Sequence, residues 1–250
     1  MLLASQVLPT ERNGHGVASE FWREQTEGFS KAYRVIRINL PGHGASPAPT
    51  SRSYCLEDFV EDVARVFREL GIEKAVLIGL SMGGIVAQKF ALKYGHLLKA
   101  LVLVDTTAHG IGPDATDDAF LAVADKQGYK KAVQDLSDIS FSSSASPALL
   151  DWARREVVHT PEFVARAAVR SLNDADTRGS LSQINVPTLV IAGEEDGVTP
   201  PRESEILAKG ISDSTLSLIP GAGHFSMLEN PVAFDLILTR FLNGLPRGAG

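Results

Sequence analysis

A hydroxyl, an imidazole and a carboxylate, brought together in that order, are enough to move an acyl group. This chain offers a candidate for each. Ser81 stands in Gly79-Leu80-Ser81-Met82-Gly83, a G-x-S-x-G spelling between an apolar run and a helix-like pattern. In such a turn the strand stops sharply and the serine hydroxyl is lifted above the sheet edge. The plainer reading is a Gly-rich strand–helix turn whose serine only caps the helix. A base and an acid elsewhere decide between them, since a serine hydroxyl is a poor nucleophile unaided. His224 lies in Pro220-Gly221-Ala222-Gly223-His224-Phe225, just past the last apolar run, and is the candidate base. Asp196 lies in Glu194-Glu195-Asp196-Gly197-Val198-Thr199-Pro200 and is the candidate acid. Glu194 and Glu195 share that loop and Asp105 follows an earlier apolar run, so each competes with Asp196. Gly197 to Pro200 fit a turn that exposes Asp196. Of the other histidines, His43 and His96 fall in turns, His109 and His159 in or near a helical stretch, and His15 near the start.

Elements able to hold these groups are legible around them. Val76 to Leu80 and Leu98 to Val104 are Val/Ile/Leu-rich runs of the kind buried on both faces of a parallel sheet. Pro187 to Ala192 and Thr215 to Ile219 repeat the type, and Tyr33 to Leu40 alternates like a strand. Between the runs lie helical patterns. Leu56, Phe59, Val60, Val63, Phe67 and Leu70 recur at helical spacing, with Gly71 as a stop. Further helices are expected over Phe21 to Phe29, up to Tyr94, over Arg202 to Lys209, and after Asn230-Pro231. Strands alternating with helices predict an α/β fold with a mostly parallel central sheet covered on both faces.

The alternation stops over residues 107–185. Ser146-Pro147 and Thr160-Pro161 each pair a capping residue with proline at the first helical position, and Asp117 to Asp135 has room for one or two helices. This stretch reads as an all-helical lid inserted into a core made of residues 1–106 and 186–250. Phe120, Phe141 and Trp152 are its candidate substrate-wall residues, unless they only pack the lid itself.

Composition excludes several other functions. The net charge of −6 and the absence of a Lys/Arg run argue against nucleic acid or an anionic membrane as partner. Cys55 is the single cysteine, so an internal disulfide and a Cys-based zinc cluster are both ruled out. No HExxH or clustered His/Asp spacing appears, and neither a metal nor another cofactor is expected. The apolar start, Met1 to Ser5, is too short for a signal h-region, and no run reaches a membrane span. A soluble, cytoplasmic protein is expected.

Taken together, the stretches resemble the α/β-hydrolase superfamily over essentially the whole chain. The order Ser81, Asp196, His224 is that family's order. Leu40-Pro41-Gly42-His43-Gly44-Ala45-Ser46, Val104-Asp105-Thr106-Thr107, Pro187 to Gly193 and His224 to Pro231 are similar to its recurrent stretches. Within it, Gly79 to Gly84, Asp105 to Ala108 and Leu172 to Arg178 are similar to 3-oxoadipate enol-lactonases and carboxylesterases. The resemblance implies a serine hydrolase that opens a carboxylic ester or lactone through an acyl-enzyme. Ser81 would be nucleophile, His224 base and Asp196 its orienting acid.

The same resemblance assigns the first oxyanion donor to the backbone N–H of Met82. The second should follow the family's third strand. His15-Gly16-Val17 offers the letters, with Val17 as donor, but Thr10 to Gly14 cannot be a buried strand. Leu2 to Ser5 is the other candidate strand, with Gln6 or Val7 following it. Either way the N-terminal edge strands are expected to be shortened or missing. Two alternatives stand beside the ester hydrolase: a carbon–carbon bond hydrolase on the same triad, and a non-catalytic ligand receptor of this fold.

Overall fold

Successive strand residues point to opposite faces of a sheet, and this chain buries both sets. Ala75 and Leu77 of one strand, with Leu101 and Leu103 of the next, belong to one apolar cluster. Val76, Ile78 and Leu80, with Ala100, Val102 and Val104, belong to a second on the other side. In the structure, a computed structural model, residues 2–4, 20–110, 119–157 and 160–246 are described. Six parallel strands form the sheet: β1 (Leu2–Ala4), β2 (Ile36–Ile38), β3 (Ala75–Leu80), β4 (Leu98–Val104), β5 (Thr188–Gly193) and β6 (Ser214–Ile219). Their spatial order is β2-β1-β3-β4-β5-β6.

Helices α1 (Arg23–Phe29), α2 (Leu56–Glu69) and α3 (Met82–Tyr94) alternate with the first strands. Phe59, Val63 and Phe67 of α2 and Ile85 and Phe90 of α3 fill the first cluster. Phe29 of α1 fills the second, together with Phe234, Leu238 and Leu242 of the terminal helix α10 (Pro231–Gly244). Two more helices belong to the core, α8 (Pro201–Gly210) and the single turn α9 (Ser226–Glu229). The result is the expected three-layer α/β architecture.

Among the described residues four α-helices lie between β4 and β5: α4 (Ala119–Gln127), α5 (Tyr129–Ile139), α6 (Pro147–Val157) and α7 (Glu162–Asn173). Gly128, at φ 92°, breaks α4 from α5. The Ser146 hydroxyl accepts from the Leu149 N–H at 3.2 Å, so Ser146-Pro147 opens α6 as its letters suggest. Thr160-Pro161 behaves differently. Pro161 is extended (ψ 139°) and is itself the cap, so α7 begins one residue later than the spacing predicts. The two roots of the insert are joined by an antiparallel bridge between His109 and Asp176. Gln88 of α3 ties them to the core: its amide donates to the Thr107 carbonyl at 2.8 Å and accepts from the Thr177 hydroxyl at 2.6 Å.

The short strands are where sequence and structure differ most. The alternating stretch Tyr33 to Leu40 contributes only Ile36–Ile38, because its partner β1 is itself three residues long. β1 is not an edge: it pairs with β2 on one side and β3 on the other, and Ala4 sits level with Gly79. Leu2 to Ala4 is thus the strand beside the serine turn. His15, Gly16 and Val17 lie outside the described residues.

Candidate active site

The serine turn is built by close backbone approach. A Cβ on Gly79 would lie 2.3 Å from the carbonyl oxygen of Gly83, so only glycine lets β3 and α3 meet there. Ser81 is the residue between them, at φ 52° and ψ −125°, a conformation rare for a residue with a side chain. Its N–H donates to the Val104 carbonyl at 3.0 Å. Its own carbonyl accepts from the Thr106 hydroxyl at 2.7 Å. The strain is held from the neighbouring strand and the residues just after it. Ser81 makes no side-chain cap to the helix, which removes the capping alternative.

The loops after β5 and β6 bring the other two groups to the same strand ends, where open α/β sheets place their sites. His224 is buried, and its Nε2 lies 2.9 Å from the Ser81 Oγ. On its other side the Nδ1–H donates to Asp196 Oδ2 at 2.9 Å, the tautomer that leaves Nε2 facing the serine hydroxyl. Asp196 is buried, whereas Glu194 and Glu195 are exposed. Its second oxygen accepts from the N–H groups of Val198 and Thr199, at 2.8 and 2.9 Å. The Thr199 hydroxyl donates to Oδ2 at 2.8 Å. In the sequence Thr199 carries no signal beyond an Asx-turn pattern, Asp followed three residues later by Thr.

Burial works against both charged forms, and the pair overcomes it. Desolvation raises the Asp196 pKa, but the facing His224 charge and the hydrogen bonds hold it below the usual carboxylate range. For His224 desolvation lowers the pKa, while the charge and hydrogen bond of Asp196, then the charges of Asp105 and Glu229, bring it out raised.

Asp105, the competing acid, does something else. It is fully buried at φ 43°, and one oxygen accepts from the Gly193 N–H at 2.8 Å. The other accepts from the Ser226 N–H at 3.1 Å and the Ser226 hydroxyl at 2.6 Å. It ties the end of β5 to the start of α9, beneath the loops that carry Asp196 and His224. Burial, then the charge of Asp196, pushes it up to about 7.

The remaining candidates separate clearly. Met82 opens α3 and is half-buried. Phe141 and Trp152 enter an aromatic run beside the histidine: Phe225 packs against His224 (5.4 Å between centroids), Phe141 and Phe21 against Phe225 (5.0 and 4.9 Å), and Trp152 against Phe21 (5.0 Å). Phe120 packs edge-on against Tyr129 inside the insert. His43 is buried in its turn and desolvated to a pKa of about 4, and His109 pairs with Glu203 at 2.8 Å. Among the described residues no three His, Cys, Asp or Glu side chains are grouped to hold a metal ion. No described helix is long and apolar enough to cross a membrane.

The chain as a whole is similar to known proteins. A 3-oxoadipate enol-lactonase 2 from Acinetobacter baylyi is 29% identical over 226 residues, covering 89% of this chain and 84% of the relative. A putative carbamate hydrolase from Variovorax paradoxus is 29% identical over 237 residues, 92% of this chain and 89% of its own. The crystal structure of the enol-lactonase from Burkholderia xenovorans superposes with a TM-score of 0.84 at 27% identity, covering 97% of this chain and 90% of that one. The family profile described as alpha/beta hydrolase fold matches residues 13–231. With that match over most of its length, and with the parallel sheet and serine turn described above, this chain belongs to the alpha/beta-hydrolase family.

Proposed function

We propose that the chain is a cofactor-free serine hydrolase that cleaves a carboxylic ester or lactone through an acyl-enzyme. One observation carries the reading. The Asp196–His224 and His224–Ser81 contacts, each 2.9 Å, form an unbroken chain ending on a hydroxyl at a strained strand–helix turn. Two of its relatives are named as an enol-lactonase and a putative carbamate hydrolase, and a lactone and a carbamate each contain a carbonyl that a serine nucleophile can attack.

In this reading the Ser81 Oγ attacks the carbonyl carbon while His224 Nε2 takes the hydroxyl proton. Asp196 holds the imidazole tautomer and stabilises the imidazolium. Collapse of the tetrahedral intermediate breaks the acyl–oxygen bond, and the Nε2 proton goes to the leaving oxygen. A water then attacks the acyl-serine, giving its proton to Nε2, and the acid product leaves as Ser81 recovers that proton. The Met82 N–H is the proposed donor to the developing oxyanion and that of Val17 the proposed second; losing one such donor typically costs about a hundred- to a thousand-fold in rate. The insert over residues 107–185 is proposed as the lid that sets the acyl group, with Phe141 and Trp152 in the aromatic run beside His224 as wall residues.

A panel of p-nitrophenyl esters and small lactones, assayed on wild type and Ser81→Ala, tests the reading. Turnover lost by at least about ten-thousand-fold in Ser81→Ala is expected. No wild-type turnover across the panel would favour a ligand receptor, and turnover surviving in Ser81→Ala would remove the serine mechanism.

A further inference from the structure

The loop that carries His224 is not held by the core alone. Asp105 grips it through Ser226. It is also stitched to the insert, at the connection between α5 and α6. The His224 N–H donates to the Ser140 carbonyl at 2.7 Å. Gly223 packs so closely on this segment that a Cβ there would lie 2.7 Å from the Ser142 nitrogen and 2.8 Å from the Ser140 oxygen. One side chain closes the contact. Glu229, at the end of α9, accepts from the Gly223 N–H through Oε1 and from the Ser142 N–H through Oε2, each at 2.8 Å.

We propose that Glu229 is a positioning residue, whose carboxylate locks the histidine loop to residues 140–142 of the insert and so sets the imidazole between Ser81 and Asp196. The inference rests on reading His224 as the base. The chemistry of the contact admits little else in that place. Two backbone N–H groups from different segments each need an acceptor, and a carboxylate supplies two acceptor oxygens. An amide supplies one, and must turn its NH2 toward the other donor. The join adds to the backbone contact between His224 and Ser140, so this side chain helps to couple the insert to the base.

Glu229 acts on His224 through charge as well. The acidic groups that face the imidazole are Asp196 after β5, Asp105 after β4 and Glu229 on α9, and all three favour the protonated ring. Removing the Glu229 charge therefore lowers the His224 pKa, whereas a purely structural strut would leave it in place.

The test compares wild type, Glu229→Gln and Glu229→Asp by the pH profile of kcat/KM for an ester. In parallel, NMR follows the His224 imidazole titration in a Ser81→Ala background. Glu229→Gln should lower kcat by about ten- to a hundred-fold with KM little changed, as expected for a misplaced catalytic group. Its acid limb and its His224 titration should both move to lower pH, by roughly half to one unit for a charge at this range. Glu229→Asp keeps the charge but falls one methylene short of both donors, so kcat should fall with the acid limb unmoved. An unchanged His224 titration in folded Glu229→Gln together with an unchanged kcat overturns the proposal. Should the Gln variant fail to fold, an unchanged kcat in Glu229→Asp overturns it. Should wild type hydrolyse no ester, the hydrolase reading fails on that count, and the NMR titration alone decides for or against Glu229.

Discussion

At the scale of single residues, the sequence is most informative where chemistry is local. Ser81, Asp196 and His224 each sit in a short loop with its own turn signature, and the structure brings all three within hydrogen-bond reach. The choice of Asp196 over Glu194 and Glu195 comes down to one residue of burial, which the Gly197–Pro200 turn already hints at. Asp105 was the harder case. Its type and its place after a strand suit an acid, but Gly193 and Ser226 occupy both its oxygens, and neither contact has a local signal because each partner is about ninety or more positions away. The same distance hides Glu229, which reaches Ser142 across 87 positions.

Asp105 also makes a prediction about stability. Its pKa of about 7 in the folded chain lies above its ordinary 3.8. Between those values the folded state holds a proton that the unfolded state has lost, so this residue's stabilisation is present below the lower value and is lost as pH rises toward the upper. Asp105→Asn removes that linkage, and with it the Asp105 charge that helps to raise His224. The difference in Tm between wild type and Asp105→Asn, measured from pH 4 to 8, should therefore shift in favour of the variant as pH rises. Parallel curves would show that Asp105 does not hold the extra proton.

At the scale of elements, the apolar runs that became β3, β4 and β5 are buried along nearly their whole length, and that is why they read so plainly. β1 is three residues long, too short to show a period, and of the alternating stretch Tyr33 to Leu40 only the three residues paired with it form β2. The junction of β3 with α3 is the most constrained of these joints. Gly79→Ala would drive a Cβ into the Gly83 backbone, which cannot swing away as a side chain could. A loss of about 2 kcal/mol or more is expected in urea unfolding, with activity lost in proportion to the displacement of Ser81. A variant as stable and as active as wild type would mean that the turn has slack the close contact does not suggest.

At the scale of the molecule, the proposed division into core and lid follows from where the strands stop, and the two parts share their apolar packing. Val164, Ala168 and Leu172 of α7 share the cluster that holds α2 and α3. Phe141 and Ala153 share the other cluster, with α1 and α10. An insert that contributes to both apolar layers should not melt by itself. Thermal unfolding followed by far-UV and near-UV circular dichroism should give one coincident transition. A first transition that loses helical signal while the environment of the core aromatics is kept would instead mark the insert as a separate folding unit.

In the proposed hydrolase Ser81 is a nucleophile, activated by His224 and Asp196, that carries the acyl group in a covalent intermediate. Intact-protein mass spectrometry after brief mixing with p-nitrophenyl acetate at mildly acid pH tests it most directly. Imidazole protonation slows deacylation there, and the intermediate accumulates. Wild type should carry one added acetyl group, mapped by peptide digestion to Ser81, and Ser81→Ala should carry none. An acetyl group on another residue, or equal labelling of the two proteins, would contradict the account.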